Sequence, residues 1–172
     1  MKNEVIYLRA FELEDYKFLN KMRTNEEMFK LTCGNKYYIS SEYDRKWVED
    51  KIFNNDRNVY LAICLKDNSE IIGYTSINDI DYRNRCAMWG AIMIDSENNG
   101  KGYATEVGSI LIDYVFNELG FKRFHSRILE GHFASLRFVE KLGFEKEGIL
   151  KSSVYKMGKF HNEIIVALIN NK

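Results

Sequence analysis

The segment from Ala87 to Leu129 constrains this chain more than any other, because its apolar period changes twice. Ala87–Ile94 is an apolar run of strand length. Asp95-Ser96-Glu97-Asn98-Asn99-Gly100-Lys101-Gly102 is polar and carries two glycines. From Tyr103 to Glu118, Val107, Ile110, Leu111, Tyr114 and Val115 recur at steps of three and four, which predicts a helix with one buried face. Gly120 is placed to end that helix. Phe124–Leu129 reads as strand again. A strand, a helix and a strand in succession make a crossover, so the two strands should run parallel with a right-handed connection.

Antiparallel signals flank this unit. Val59–Leu65 and Ile71–Ile80 enclose the polar turn Lys66–Glu70, and the turn Asp81–Arg85 leads into Ala87–Ile94. Gly148–Met157 and Phe160–Ile169 predict a second hairpin on Gly158-Lys159, after a short helix Phe133–Lys141 closed by Gly143. Toward the N-terminus, Val5–Leu8 predicts a strand and Glu14–Met22 a helix with Tyr16, Leu19 and Met22 at helical spacing. The box Ser41-Glu42-Tyr43-Asp44 opens a further helix to Phe53, and the polar stretch Asn25–Tyr38 predicts mostly loop. The order β-α-α-β-β-β-α-β-α-β-β implies an α/β fold: a mixed seven-stranded sheet with helices on both faces, one domain over residues 1–172.

Composition then removes classes of function. The 25 Lys+Arg balance 25 Asp+Glu, and zero net charge argues against an electrostatic nucleic-acid binder. No apolar run approaches the roughly 18 residues of a membrane span, and the opening Met1–Arg9 carries no signal-type apolar core. Cys33, Cys64 and Cys86 are an odd, scattered set, which suggests reduced thiols and a cytoplasmic setting, with Cys64 as buried filler. The cysteines and His125, His132 and His161 lack zinc-ligand spacing, so no metal is expected. With no proline anywhere, glycine, Asn and Asp must punctuate the chain.

The strand–loop–helix junction at Ile94 to Thr105 is where chemistry is legible. A helix N-terminus offers unpaired N–H groups at the positive end of its dipole, and Gly100 and Gly102 let backbone approach an anion. A phosphate site fits this, and so does a plain tight turn. A Walker A loop is excluded because no Gly-Lys-Ser/Thr is present at the required spacing, and a Rossmann fingerprint because the third glycine is missing.

Asn99-Gly100-Lys101-Gly102-Tyr103-Ala104-Thr105-Glu106 resembles the Arg/Gln-x-x-Gly-x-Gly/Ala loop of the GCN5-related N-acetyltransferases (GNAT). His132 to Phe144, with Ser135 and Glu140-Lys141-Leu142-Gly143-Phe144, is similar to that family's Asn-x-x-Ser…Glu-Lys-Leu-Gly-Phe stretch. Glu147–Asn162 and the opening Tyr7-Leu8-Arg9-Ala10-Phe11 with Asp15-Tyr16 resemble its ribosomal-protein-alanine and spermidine branch. The resemblance implies acetyl transfer from acetyl-CoA to a primary amine in a ternary complex, and a splayed central parallel pair formed by the fourth and fifth strands. It implies that backbone of Ile92, Met93 and Ile94 binds the pantetheine arm, and that Asn99, Gly100, Lys101, Gly102, Tyr103, Ala104 and Thr105 cradle the pyrophosphate. His132, Ser135 and Phe138 would border the cofactor's thiol end, with Ser135 and His132 as candidate catalytic residues. A homodimer is the assembly to look for.

The chain departs from the family at each side-chain role. Val139 stands where many relatives carry a tyrosine acid, Trp89 where many carry a glutamate base, and Asn99 where Arg or Gln is usual. Asp79, Asp81 and Glu163 are candidate bases at strand ends, while Tyr37, Tyr38 and Trp89 could stack on a sugar. Glu26, Glu27, Glu42 and Asp44 could pair with a polyamine, but Lys30, Lys36, Arg45 and Lys46 dilute them. A small amine metabolite or amino-sugar is therefore the favoured acceptor, with a polyamine or a protein N-terminus as alternative. A non-catalytic acyl-CoA-binding module is the alternative of another class.

Overall fold

The computed structural model describes residues 5–33 and 38–171. Its centre is a seven-stranded sheet in the order β1-β2-β3-β4-β5-β7-β6. The strands are β1 Ile6–Ala10, β2 Val59–Leu65, β3 Ile71–Asp81, β4 Cys86–Ile94, β5 Arg123–Leu129, β6 Glu145–Lys156 and β7 Lys159–Ile169. β4 and β5 are the parallel neighbours. The helices are α1 Tyr16–Arg23, α2 Glu26–Leu31, α3 Ser41–Phe53, α4 Tyr103–Asp113 and α5 Phe133–Lys141.

The period of two in the strands sorts side chains to two cores. Ala62 and Cys64 pack with Leu19 of α1 and Val48 of α3 on one face. Ile63 and Ile72 join Val107 and Leu111 of α4 and Val139 of α5 on the other. Buried Cys64 is thus apolar filler, as expected.

Three local expectations are corrected. Within the stretch expected to be loop, α2 forms: the Asn25 side chain accepts from the N–H groups of Glu27 and Met28. This helix buries no residue, so it left no apolar period to read. The cap of α3 is Ser40, not Ser41; its hydroxyl accepts from the Tyr43 N–H at 3.2 Å. Asp44 points inward instead, fully buried between Arg23 (2.5 Å) and the Asn20 amide (2.7 Å). The long helix after the glycine loop is α-helical only to Asp113 and continues as a wider turn over Tyr114–Glu118, closed by Gly120 at φ +63°.

Candidate active site

The β4–β5 ladder is short. Cys86 pairs with Arg123, Ala87 with Phe124 and Met88 with His125, and there the pairing stops. Just beyond, the Ser126 hydroxyl donates to the Trp89 carbonyl at 2.8 Å, a side-chain link where the ladder ends. The cause lies on the β3 side. The β3–β4 register shifts between Ser76/Ala91 and Ile77/Trp89, leaving Gly90 as an extra residue. A Cβ at Gly90 would stand 2.2 Å from the Asn78 amide, so any larger residue would have to displace the Asn78 and Ser76 side chains. The bulge and the lost ladder leave Ala91–Ile94 paired on the β3 side alone.

Trp89 is part of the core rather than a surface for a sugar, which corrects the stacking role. It is 3% exposed, stacks on Phe124 with centroids 5.7 Å apart and meets Phe138 edge-on at 5.6 Å. Its indole N–H donates to Thr75 Oγ1 at 3.0 Å, so the buried polar atom is satisfied. Val139 is buried in the same core. Phe138 is half-buried against Trp89.

The glycine loop is built as an open cradle. Gly100 and Gly102 have φ of +77° and +88°, and a Cβ on either would meet nothing within 4 Å. Gly102 occupies the cap position of α4 and supplies no side chain to the first N–H groups. Among the described residues, the N–H groups of Gly100, Lys101, Gly102, Tyr103 and Ala104 donate to no protein group. Asp95 braces the loop by accepting from the Asn98 N–H at 2.9 Å and from its amide. Lys101 Nζ donates to Asn98 Oδ1 at 2.8 Å. Glu106 in the first turn of α4 accepts from the N–H groups of Val5 and Ile6, which ties the helix to β1. Five clustered donors at a helix N-terminus suit a pyrophosphate.

His132 and Ser135 come together. His132 holds the cap position of α5 without capping it, and its Nε2 lies 3.4 Å from Ser135 Oγ. Burial lowers the His132 pKa below the ordinary value, which favours the neutral ring. The Ser135 hydroxyl caps no helix, and His132 Nε2 is its one protein partner among the described residues.

Near the point where the β4–β5 ladder ends, Cys33, Asp79, Met88, Trp89, Gly90, Arg127 and Glu163 line a cavity of about 220 Å³. Of the three carboxylates expected as bases, it receives Asp79 and Glu163. Asp81 is spent elsewhere, accepting from the N–H and amide of Asn84 in the β3–β4 turn. Glu163 is 8% exposed and opposes Leu129 in the sheet. Burial, reinforced by the Glu163 charge, pushes the Cys33 thiol up to about 11, so it stays protonated and inert. Lys156, buried, caps α2 by donating to the carbonyls of Phe29 and Thr32, with Nζ 3.9 Å from the Phe29 ring centroid. The β6–β7 hairpin therefore holds the α2 segment that carries Cys33 into the cavity.

Of the residues named for the acceptor, Asp44 is consumed by Arg23, and Glu27 pairs with exposed Lys30. Glu26 and fully exposed Tyr38 border a second cavity of about 530 Å³. Tyr37 and Lys36 lie outside the described residues. Sequence reasoning passed over Arg127; its signal was the alternation Arg123, His125, Arg127, which sets three basic side chains on one face of β5. Among the described residues no three His, Cys, Asp or Glu side chains converge as a metal set, and no helix is long and apolar enough to cross a membrane.

A family model described as an acetyltransferase (GNAT) domain matches residues 6–145. The chain is 27% identical to a probable N-acetyltransferase, YjcK, of Bacillus subtilis strain 168, over 99% of this chain and 97% of that protein. It is 22% identical to the spermidine N(1)-acetyltransferase of Vibrio cholerae serotype O1, over 99% and 96% respectively. Among solved structures, a spermidine N-acetyltransferase from Vibrio cholerae in complex with CoA and spermine superposes with a TM-score of 0.90 at 22% identity, covering 99% of this chain and 98% of that one. A dodecameric structure of the Vibrio cholerae enzyme superposes with a TM-score of 0.81. At these identities the structural likeness is one of fold.

Proposed function

This chain belongs to the GNAT family of acetyl-CoA-dependent N-acetyltransferases, and from that premise we propose that its acceptor is a small primary amine seated in the cavity of about 220 Å³ beside the strand splay. One observation carries the reading: the buried carboxylate Glu163 lines a cavity at the place where β4 and β5 part.

The residues present fit acetyl-CoA. The five unpaired amides from Gly100 to Ala104 would hold its pyrophosphate, with Asn99, Lys101 and Thr105 flanking them. Ile92, Met93 and Ile94, beyond the end of the β4–β5 ladder, would hold its pantetheine arm, and Phe138 would pack beside it. When bound, it supplies the acetyl thioester. The remaining work falls to this chain. An alkylamine reaches the site as an ammonium, with a pKa near 10. Glu163 accepts a hydrogen bond from it and takes its proton, which returns to solvent at the cavity mouth, with Asp79 adding negative charge there. A backbone N–H of Met93 or Ile94 donates to the carbonyl oxygen as it gains charge. The neutral amine would form the C–N bond as the C–S bond breaks; Ser135 would give its hydroxyl proton to the departing sulfur and regain one, through solvent, as the new amide nitrogen sheds its second proton, while His132 orients that hydroxyl. Val139, an alkane in the core, takes no part.

A second reading, a polyamine acceptor, is supported by the relative named a spermidine N(1)-acetyltransferase and by the two carboxylates on one cavity. Arg127 on the same wall weighs against it. Both readings are tested by measuring free CoA thiol released from acetyl-CoA by the purified chain, across amino-sugars, amino acids, polyamines and N-terminal peptides. Release that requires an added amine, and is fastest with a small one, is expected. Thermal stabilisation by CoA without release for any amine would instead identify a binding module.

A further inference from the structure

The wall of the acceptor cavity mixes charge signs. Glu163 and Asp79 contribute carboxylates, and Arg127 of β5 contributes a guanidinium. Arg9, Arg23 and Arg123 are each bound to a carboxylate, Asp15, Asp44 and Glu147 respectively. Arg127 is different: it is exposed and, among the described residues, forms no hydrogen bond or ion pair. For His125, on the same face of β5, burial and then Arg123 and Arg127 lower the pKa and favour the uncharged ring. The charges that face an acceptor are therefore two anions and one unpaired cation.

A polyamine carries cations alone, and Arg127 would repel it. A molecule with an ammonium and an oxyanion satisfies the whole wall, since the planar guanidinium fork matches the two oxygens of a carboxylate or phosphate. We infer that the acceptor is a primary amine that also carries an oxyanion, a carboxylate or a phosphate, and that Arg127 is the residue that selects it. This inference rests on the acetyl-transfer reading above and narrows its substrate.

The test uses matched pairs that differ by the anion alone: tyramine against tyrosine, and glucosamine against glucosamine 6-phosphate. In at least one pair the anion-bearing member is expected to have a kcat/KM at least about tenfold higher, and the pair that responds tells carboxylate from phosphate. Arg127→Met should shrink that ratio by about tenfold to a hundredfold, and Arg127→Lys should restore part of it. A ratio at or below one in both pairs overturns the inference, as does an equal loss for both members in Arg127→Met. Thermal stabilisation of the CoA-loaded protein by each amine, read without turnover, separates the two levels. Stabilisation by the anion-bearing member that Arg127→Met abolishes, with no thiol release, would sink acetyl transfer and uphold the selectivity. Equal stabilisation by both members would sink the selectivity whatever the turnover.

Discussion

Ser135→Ala should cost this enzyme rate without costing it fold. In the structure the hydroxyl has one partner, His132 Nε2 at 3.4 Å, which is longer than the usual hydrogen-bond range. It caps nothing, since His132 holds the cap position of α5. Its loss should therefore cost less than about 1 kcal/mol, or at most about 2–4 °C in Tm for a chain of this size. Loss of a proton donor to the departing sulfur should lower kcat by about 10²- to 10⁴-fold, equivalent to about 3–5 kcal/mol of barrier. That disproportion is the diagnostic. Single-turnover thiol release at saturating acetyl-CoA and amine reads the chemical step rather than product release. His132→Ala should reduce the rate less, and the double variant should be no slower than Ser135→Ala, because His132 acts through the hydroxyl. A Ser135→Ala enzyme that binds CoA normally and retains its rate within threefold would refute the assignment.

Three other outcomes follow from the geometry. Asp44→Ala leaves the Arg23 guanidinium, stacked 4.1 Å over Trp47, without its buried carboxylate; calorimetry should show a loss of about 3 kcal/mol, and a change under 1 kcal/mol would contradict a structural ion pair. Gly102→Ala meets no steric neighbour, so its cost is the left-handed backbone alone, about 1 kcal/mol; CoA affinity should fall by at least about tenfold as the cradle shifts, and isothermal titration showing unchanged affinity would place the pyrophosphate elsewhere. His132 and His125 both have folded pKa values below their unfolded value of about 6.5. The unfolded chain thus binds their protons first, so stability is present above about pH 6.5 and declines as pH falls through the folded values. Tm measured from pH 8 to pH 5 should drop, and a flat profile in the double variant His125→Gln, His132→Gln would assign the drop to these rings.

Much of the architecture was legible because it is written in local periods. The apolar steps of three and four in α4, the apolar run of β2 and the glycines at 120 and 143 depend on neighbours in sequence, and the structure follows them. The Gly100–Gly102 loop was legible for the same reason: a positive φ and an uncapped helix start are properties of a few consecutive residues. α2 was not, since a six-residue helix with no buried side chain is held by its Asn25 cap and by Lys156 from the far end of the chain. Trp89 was misplaced because side-chain direction in β4 is set by the Gly90 bulge, which is a feature of pairing with β3.

By itself the sequence determined the order of elements, the parallel crossover, the glycine loop before α4 and, through resemblance, the family. These are carried by contiguous residues whose propensities and spacing act within one element or one turn. Only the tertiary structure decided which charges line the cavity beside the strand splay. Asp79, Arg127 and Glu163 come from three strands, and no local pattern joins them. The sheet order, with its short β4–β5 ladder, brings them to one cavity, while Asp44 and Asp81 are drawn into bonds of their own. Long-range packing chooses among such equally plausible surface acids, because each must be either paired, solvated or presented to a ligand.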